Sequence, residues 1–83
     1  MGVLRAVVSK RVLDRLIREK LRQVRLCEGV SAMPVVWRRR LGAECNWEIP
    51  GWTGDGGAVS RCASQISGFV HSLETQFDIA DEA

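Results

Sequence analysis

The sequence predicts an α+β fold, a two-layer α-β-β-α domain in which an antiparallel hairpin is covered on one face by two helices. Two changes of hydrophobic period indicate this fold. Apolar residues recur every three or four positions up to Leu26 and again from Val59, but at every second position between residues 33 and 49. Each helix then has one apolar stripe and the hairpin has one apolar face, so packing the helices on that face buries all three.

The first helix is predicted to begin after Ser9 and to run to about Leu26. The Ser9 hydroxyl can accept a hydrogen bond from a free backbone amide of the first turn. Gly29 can adopt a positive φ beyond the last turn, which favours a stop there. The apolar stripe consists of Leu13, Leu16, Ile17, Leu21 and Val24.

The hairpin is predicted from strict alternation of apolar and polar residues. An odd loop length keeps both apolar sets on one face, and the simplest such loop is Leu41-Gly42-Ala43. The inward residues are Met33, Val35, Trp37, Cys45, Trp47 and Ile49. This register pairs Trp37 with Trp47, Val35 with Ile49, and Arg40 with Glu44. Both tryptophans are therefore expected in the core.

The second helix follows the connection "PGWTGDGG". Asp55 is the expected N-cap, with Thr53 as the alternative. The apolar stripe is Val59, Cys62, Ala63, Ile66, Phe69, Val70, Leu73 and Phe77. A phosphate site in this glycine loop is disfavoured, because a P-loop needs Lys followed by Ser or Thr, and Ala58 and Val59 stand there instead. Asp55 would also repel an anion at the helix start.

The 83 residues are predicted to form a single domain, 1–83. Residues 1–8 have three interpretations that the sequence leaves open: a flexible tail, an extra turn of helix, or a short strand that covers one edge of the hairpin. The acidic residues 78–83 are expected to fray. Because so short a chain buries only on the order of 60–65% of its surface, self-association would be a natural stabiliser.

Charge is unevenly distributed along the chain. Residues 1–42 carry eleven Lys/Arg and three Asp/Glu, a net +8, whereas residues 43–83 carry one Arg and seven acids, a net −6. This basic half is the best candidate contact surface, either for nucleic acid or for a protein partner. The candidate contacts are Lys10, Arg11, Arg18, Arg38, Arg39, Arg40 and Trp52. Two alternatives remain: Asp14 can neutralise Arg18 locally, and Trp52 can fold back on the core.

The three cysteines, Cys27, Cys45 and Cys62, are an odd number, widely spaced and without a C-x-x-C motif. A disulfide framework is therefore not expected, and three reduced cysteines indicate a reducing, cytoplasmic location. The chain has no closely spaced pair of Cys or His ligands, so a metal site is not expected. No apolar run approaches the roughly 20 residues that a membrane span needs. The sequence predicts neither a cofactor nor catalytic residues, and the protein is not expected to be an enzyme.

The segments "CEGV" and "CNWEIPGWTGD" resemble those of small uncharacterised bacterial proteins that place a Cys-Asn-Trp strand before a capped second helix. The resemblance covers Cys27 to about Asp81 and implies no activity.

The leading functional hypothesis is a small soluble interaction module with unknown partners. A two-stranded sheet has two open edges, and the strand Glu44–Ile49 is the edge predicted to pair with a second copy in a homodimer. The alternative is a nucleic-acid-binding domain of low sequence specificity that uses the basic half.

Overall fold

A computed structural model of the chain describes residues 4–40, 42 and 44–80, and these residues form the predicted α+β fold. The elements in chain order are β1 (Ala6–Val8), α1 (Lys10–Gln23), a 3-10 turn (Arg25–Cys27), β2 (Ser31–Ala32), β3 (Val36–Trp37), β4 (Trp47–Glu48), β5 (Trp52–Thr53), α2 (Gly56–Gln76) and β6 (Phe77–Ile79). The described strands pair in twos: β1 with β6 in parallel, β2 with β5 and β3 with β4 antiparallel.

Helix α1 begins where the sequence predicts. The Ser9 hydroxyl accepts a hydrogen bond from the Val12 amide at 3.3 Å, which satisfies one of the free donors of the first turn. The residues buried on this helix are Leu13, Ile17 and Leu21. The helix ends at Gln23, before the predicted Leu26, because the backbone becomes extended at Val24 and a 3-10 turn follows.

Helix α2 also has its predicted cap, since the Asp55 carboxylate accepts from the Ala58 amide at 3.3 Å. The helix buries Cys62, Ile66 and Leu73. Phe77 was expected to continue the helical stripe, but α2 ends at Gln76 and Phe77 begins β6.

The hairpin has the predicted register. Trp37 lies opposite Trp47, and Val36 lies opposite Glu48. Of the predicted loop, Leu41 and Ala43 lie outside the described residues. The parity rule therefore located the pairing correctly, although the regular strands extend over only two residues each.

The prediction that both tryptophans are buried is half right. Trp47 is 0% exposed, but Trp37 is 51% exposed and Met33 is 45% exposed. The Trp47 indole donates to the Phe77 carbonyl at 2.9 Å, which places it beneath β6. Met33 also leaves the predicted hairpin, because its amide donates to the Gly51 carbonyl at 2.9 Å, next to the pair of β2 and β5.

Phe77–Ile79 form strand β6, so the expectation that residues 78–83 fray is wrong for residues 78 and 79. Asp78 and Ile79 are buried, and β6 pairs in parallel with β1, with Val8 opposite Ile79. A further bond, from the Ala80 amide to the Val8 carbonyl at 2.9 Å, continues the pairing. Residues 81–83 lie outside the described part. The N-terminal strand is thus present, but it covers the C-terminal segment and not the hairpin.

A disulfide joins Cys27, at the end of the 3-10 turn, to Cys62 in α2, with the two Cα atoms 4.7 Å apart. The expectation of three reduced cysteines is therefore wrong. Cys45 is free and buried. The sequence does not reveal this pair because the partners stand 35 residues apart and meet only when the 3-10 turn packs on α2.

The approach of β2 to β5 depends on glycine. Gly54 has a φ of +139°, and a Cβ at this position would lie 3.1 Å from the Gly29 carbonyl oxygen. Any larger residue would separate the two strands or strain the backbone. This close approach helps to hold residues 28–34 against the rest of the fold.

Candidate partner-binding groove

An open groove of about 760 Å³ lies between α1 and the segment of residues 28–34. Its size is within the range of about 300–1,000 Å³ that is typical of ligand pockets. Helix α1 contributes Asp14, Ile17, Arg18, Leu21, Arg22 and Gln23. The 3-10 turn and the residue before it contribute Val24, Arg25 and Cys27, and the facing wall is Glu28–Pro34.

The groove has an apolar floor. Ile17 and Leu21 belong to the buried stripe of α1, and Val30 is buried on the facing wall. Met33 is half exposed near the end of that wall. The floor is therefore continuous with the core, and the half-exposed Met33 presents apolar atoms to a partner that enters from solvent.

Two cross-links hold the walls of the groove. The Asp14 carboxylate accepts from the Val35 amide at 2.9 Å, which joins α1 to the start of the hairpin. At the other end, the disulfide of Cys27 and Cys62 fixes the 3-10 turn to α2. The groove is thus shaped by contacts that exist before any partner binds.

The groove is bordered by three exposed arginines, Arg18, Arg22 and Arg25, which we call the arginine rim. Within the described residues, none of the three forms an ion pair. The local pairing of Asp14 with Arg18, considered above, is not formed, because the carboxylate is directed to Val35. Glu28 is the other acid in the lining, and the border has a net positive charge.

The predicted contact residues of α1 are divided between exposed and half-buried positions. Arg11 and Arg18 are exposed, and Lys10 is half-buried. Arg39, in the hairpin, is also exposed. Three of the four lie on α1 and one in the hairpin, and of them only Arg18 lines the groove.

The other two predicted arginines have structural partners. Arg38 lies 3.4 Å from a Glu44 oxygen and donates from Nε to the Cys45 carbonyl at 3.3 Å. Arg40 pairs with the buried carboxylate of Asp78. Arg40 and Glu44, which the hairpin register places opposite one another, thus form ion pairs with other residues, because the unexpected strand β6 brings Asp78 to Arg40.

Trp52 is half-buried, pairs with Ala32 between β5 and β2, and packs against the core. This settles the alternative left open for Trp52 in favour of the core, and Trp37 is instead the more exposed indole. Sequence reasoning missed the facing wall of the groove. Its only local signal is Gly29, whose positive φ of +78° turns the chain back along α1.

A smaller cavity of about 320 Å³ is lined in part by Cys45, His71 and Glu74. The Cys45 thiol is buried and donates to the Trp47 carbonyl at 3.3 Å. No hydrogen bond joins this thiol to His71, so the cavity lacks the thiol–base contact of a nucleophilic cysteine. Across the described ranges, no group of three or more His, Cys, Asp or Glu side chains is placed to hold a metal ion.

No protein-family model, curated protein or solved structure matches the chain. The resemblance to small bacterial proteins with a Cys-Asn-Trp strand remains a prediction. Neither described helix combines the length and apolar character that crossing a membrane requires.

Proposed function

We propose that the protein is a small interaction module that binds an acidic, amphipathic peptide segment of a partner protein in the groove between α1 and residues 28–34. The observation that supports this most strongly is the arginine rim, which lies above an apolar floor and forms no ion pair with any residue that the structure describes. An acidic amphipathic segment complements both features at once.

Each part of the groove has a defined role in this binding. Apolar side chains of the partner gain about 25 cal/mol for each Å² of exposed apolar surface that they bury in the groove, such as that of Met33. The guanidinium groups of the rim form paired hydrogen bonds with carboxylates, which fixes the position of the peptide. Met33 is flexible, so it can adapt to partner side chains of different shape.

The two cross-links contribute to affinity through pre-organisation. Because the disulfide and the Asp14–Val35 hydrogen bond already order the walls, less conformational entropy is lost when a peptide binds. Such a module needs neither a catalytic group nor a cofactor, and we assign none. The cytoplasmic location remains a prediction, and the disulfide removes the support that three reduced cysteines would give it.

The proposal is tested by fluorescence anisotropy with a labelled 14-residue peptide that has leucine at every third or fourth position and glutamate between. We expect this peptide to bind and the same peptide with lysine for glutamate not to bind. Replacing two rim residues, Arg18→Glu and Arg22→Glu, should weaken binding at least about tenfold, a loss of about 1.4 kcal/mol.

The matched control carries the same charge change away from the groove, Arg39→Glu with Arg61→Glu. It should bind the peptide with nearly the affinity of the unaltered protein. An equal loss in both double variants would mean that net charge alone attracts the peptide and would refute the groove. NMR shift changes that avoid Ile17, Leu21 and Val30 would refute it as well.

A further inference from the structure

We propose that the solvent-facing side of α1 is a second binding surface, which binds the phosphodiester backbone of nucleic acid. Four residues form this surface, Arg11, Arg15, Arg18 and Arg22, which we call the arginine stripe. At 3.6 residues per turn and 1.5 Å per residue, they lie within an arc of about 60° and span about 16 Å of the helix. All four are exposed.

The arginine stripe is not neutralised by the protein. Over the described ranges, no stripe residue has an ion pair, whereas Arg38 and Arg40 in the hairpin each have one. Asp14 accepts from the Val35 amide, and Glu19, which lies beside the stripe, forms no ion pair within the described part of the chain. The positive charge of all four guanidinium groups therefore faces solvent.

This arrangement does not stabilise the helix. Arginines four residues apart repel one another. Arg11, together with Lys10, also lies in the first turn, where the helix dipole disfavours positive charge, and no acidic residue occupies that turn. A bound polyanion removes both unfavourable interactions. The stripe therefore favours binding of a polyanion, although it does not stabilise the fold.

The straight, regular form of the stripe favours a nucleic-acid backbone as the polyanion. A DNA strand carries one phosphate for every 3.4 Å of axis, so about 16 Å of helix spans about five phosphates. Guanidinium groups form paired hydrogen bonds with phosphate oxygens. Contacts of this kind position a protein on the backbone but carry no base information, so we infer little sequence preference.

The stripe and the groove share Arg18 and Arg22, whereas Arg11 and Arg15 do not line the groove. Replacing Arg11 and Arg15 therefore tests the stripe alone. The probe is a fluorescein-labelled 20-base-pair DNA duplex of mixed sequence, with binding followed by anisotropy at 50 and 200 mM salt.

We expect the logarithm of the affinity to fall with the logarithm of the salt concentration with a slope near −3.6, as four phosphate contacts require. This slope is about a 150-fold loss of affinity between the two salt concentrations. The variant Arg11→Gln/Arg15→Gln should bind at least about tenfold more weakly at 50 mM salt, and its slope should be reduced by about 2.

The control Arg39→Gln/Arg61→Gln makes the same change of net charge and should keep more than half of the affinity. An equal loss in both variants, binding that does not depend on salt, or equal affinity for poly-glutamate would each overturn the proposal. Circular dichroism should show that α1 remains folded in Arg11→Gln/Arg15→Gln, and this variant should still bind the acidic peptide, which separates the two surfaces.

Discussion

The side chain of Asn46 forms hydrogen bonds with the backbone of strand β6, as a neighbouring strand would. Its side-chain oxygen accepts from the Ile79 amide at 2.8 Å, and its side-chain nitrogen donates to the Ile79 carbonyl at 3.0 Å. The Asn46 backbone amide also donates to the Asp78 carboxylate at 3.1 Å. Together with the hydrogen bond from Trp47 to Phe77, these contacts show that Asn46 and Trp47 of the Cys-Asn-Trp segment hold strand β6 in place.

We expect Asn46→Ala to lower the free energy of unfolding by about 2–4 kcal/mol, because it leaves a buried amide and a buried carbonyl of Ile79 unpaired. Urea denaturation followed by tryptophan fluorescence measures the loss. Gln65→Ala, which removes an exposed amide from α2, is the control and should have little effect. A loss below about 1 kcal/mol in Asn46→Ala would show that β6 is held mainly by β1.

At the scale of elements, the disulfide contributes more to the stability of the 3-10 turn than to that of either helix. The turn has three residues, too few to be stable without tertiary contacts. Its Cys27 is bonded to Cys62 in α2, and its Arg25 borders the groove. The disulfide therefore sets the position of one end of the groove.

We expect a reductant to lower the stability of the protein by about 3–4 kcal/mol, since the bond closes a loop across 35 residues. Chemical denaturation with and without dithiothreitol measures this difference. The variant Cys45→Ser should respond to dithiothreitol as the unaltered protein does, and Cys27→Ser/Cys62→Ser should not respond. If dithiothreitol left the stability of the unaltered protein unchanged, this result would contradict the presence of the disulfide.

At the scale of the whole molecule, the strand edges determine how two copies can meet. The edge Glu44–Ile49 offers little free surface, because Cys45 and Trp47 are buried and Asn46 binds Ile79. Strand β1 pairs with β6 on one side only within the described residues. Its Val7 is 66% exposed, and the preceding Leu4 is 98% exposed. The homodimer remains a prediction, and β1 is the edge better suited to it.

We expect a dimer that forms with increasing concentration and that Val7→Lys dissociates, because a charge on an edge strand opposes pairing. Sedimentation equilibrium at several concentrations measures the mass. Glu48→Lys, which adds a lysine to the other proposed edge, should leave the dimer intact. A mass of 9.2 kDa at every concentration would exclude self-association. Dissociation by Glu48→Lys but not by Val7→Lys would show that the dimer forms through the edge Glu44–Ile49.

The sequence by itself determined the features that depend on near neighbours. The caps at Ser9 and Asp55 act on amides three residues away, and the two helical stripes repeat within each helix. The pairing of Trp37 with Trp47 followed from a period of two and a short loop. Arg18 was also identified as a contact candidate, since an exposed charge on a helix can be predicted from that helix alone.

Only the tertiary structure decided which distant segments meet. The parallel pairing of β1 with β6, the disulfide and the partner of Arg40 join parts of the chain that carry no local signal for one another. The same is true of the groove, whose facing wall is placed by Gly29 and by the packing of the 3-10 turn on α2. Such contacts depend on how the helices pack, and a pattern within one segment does not encode that arrangement.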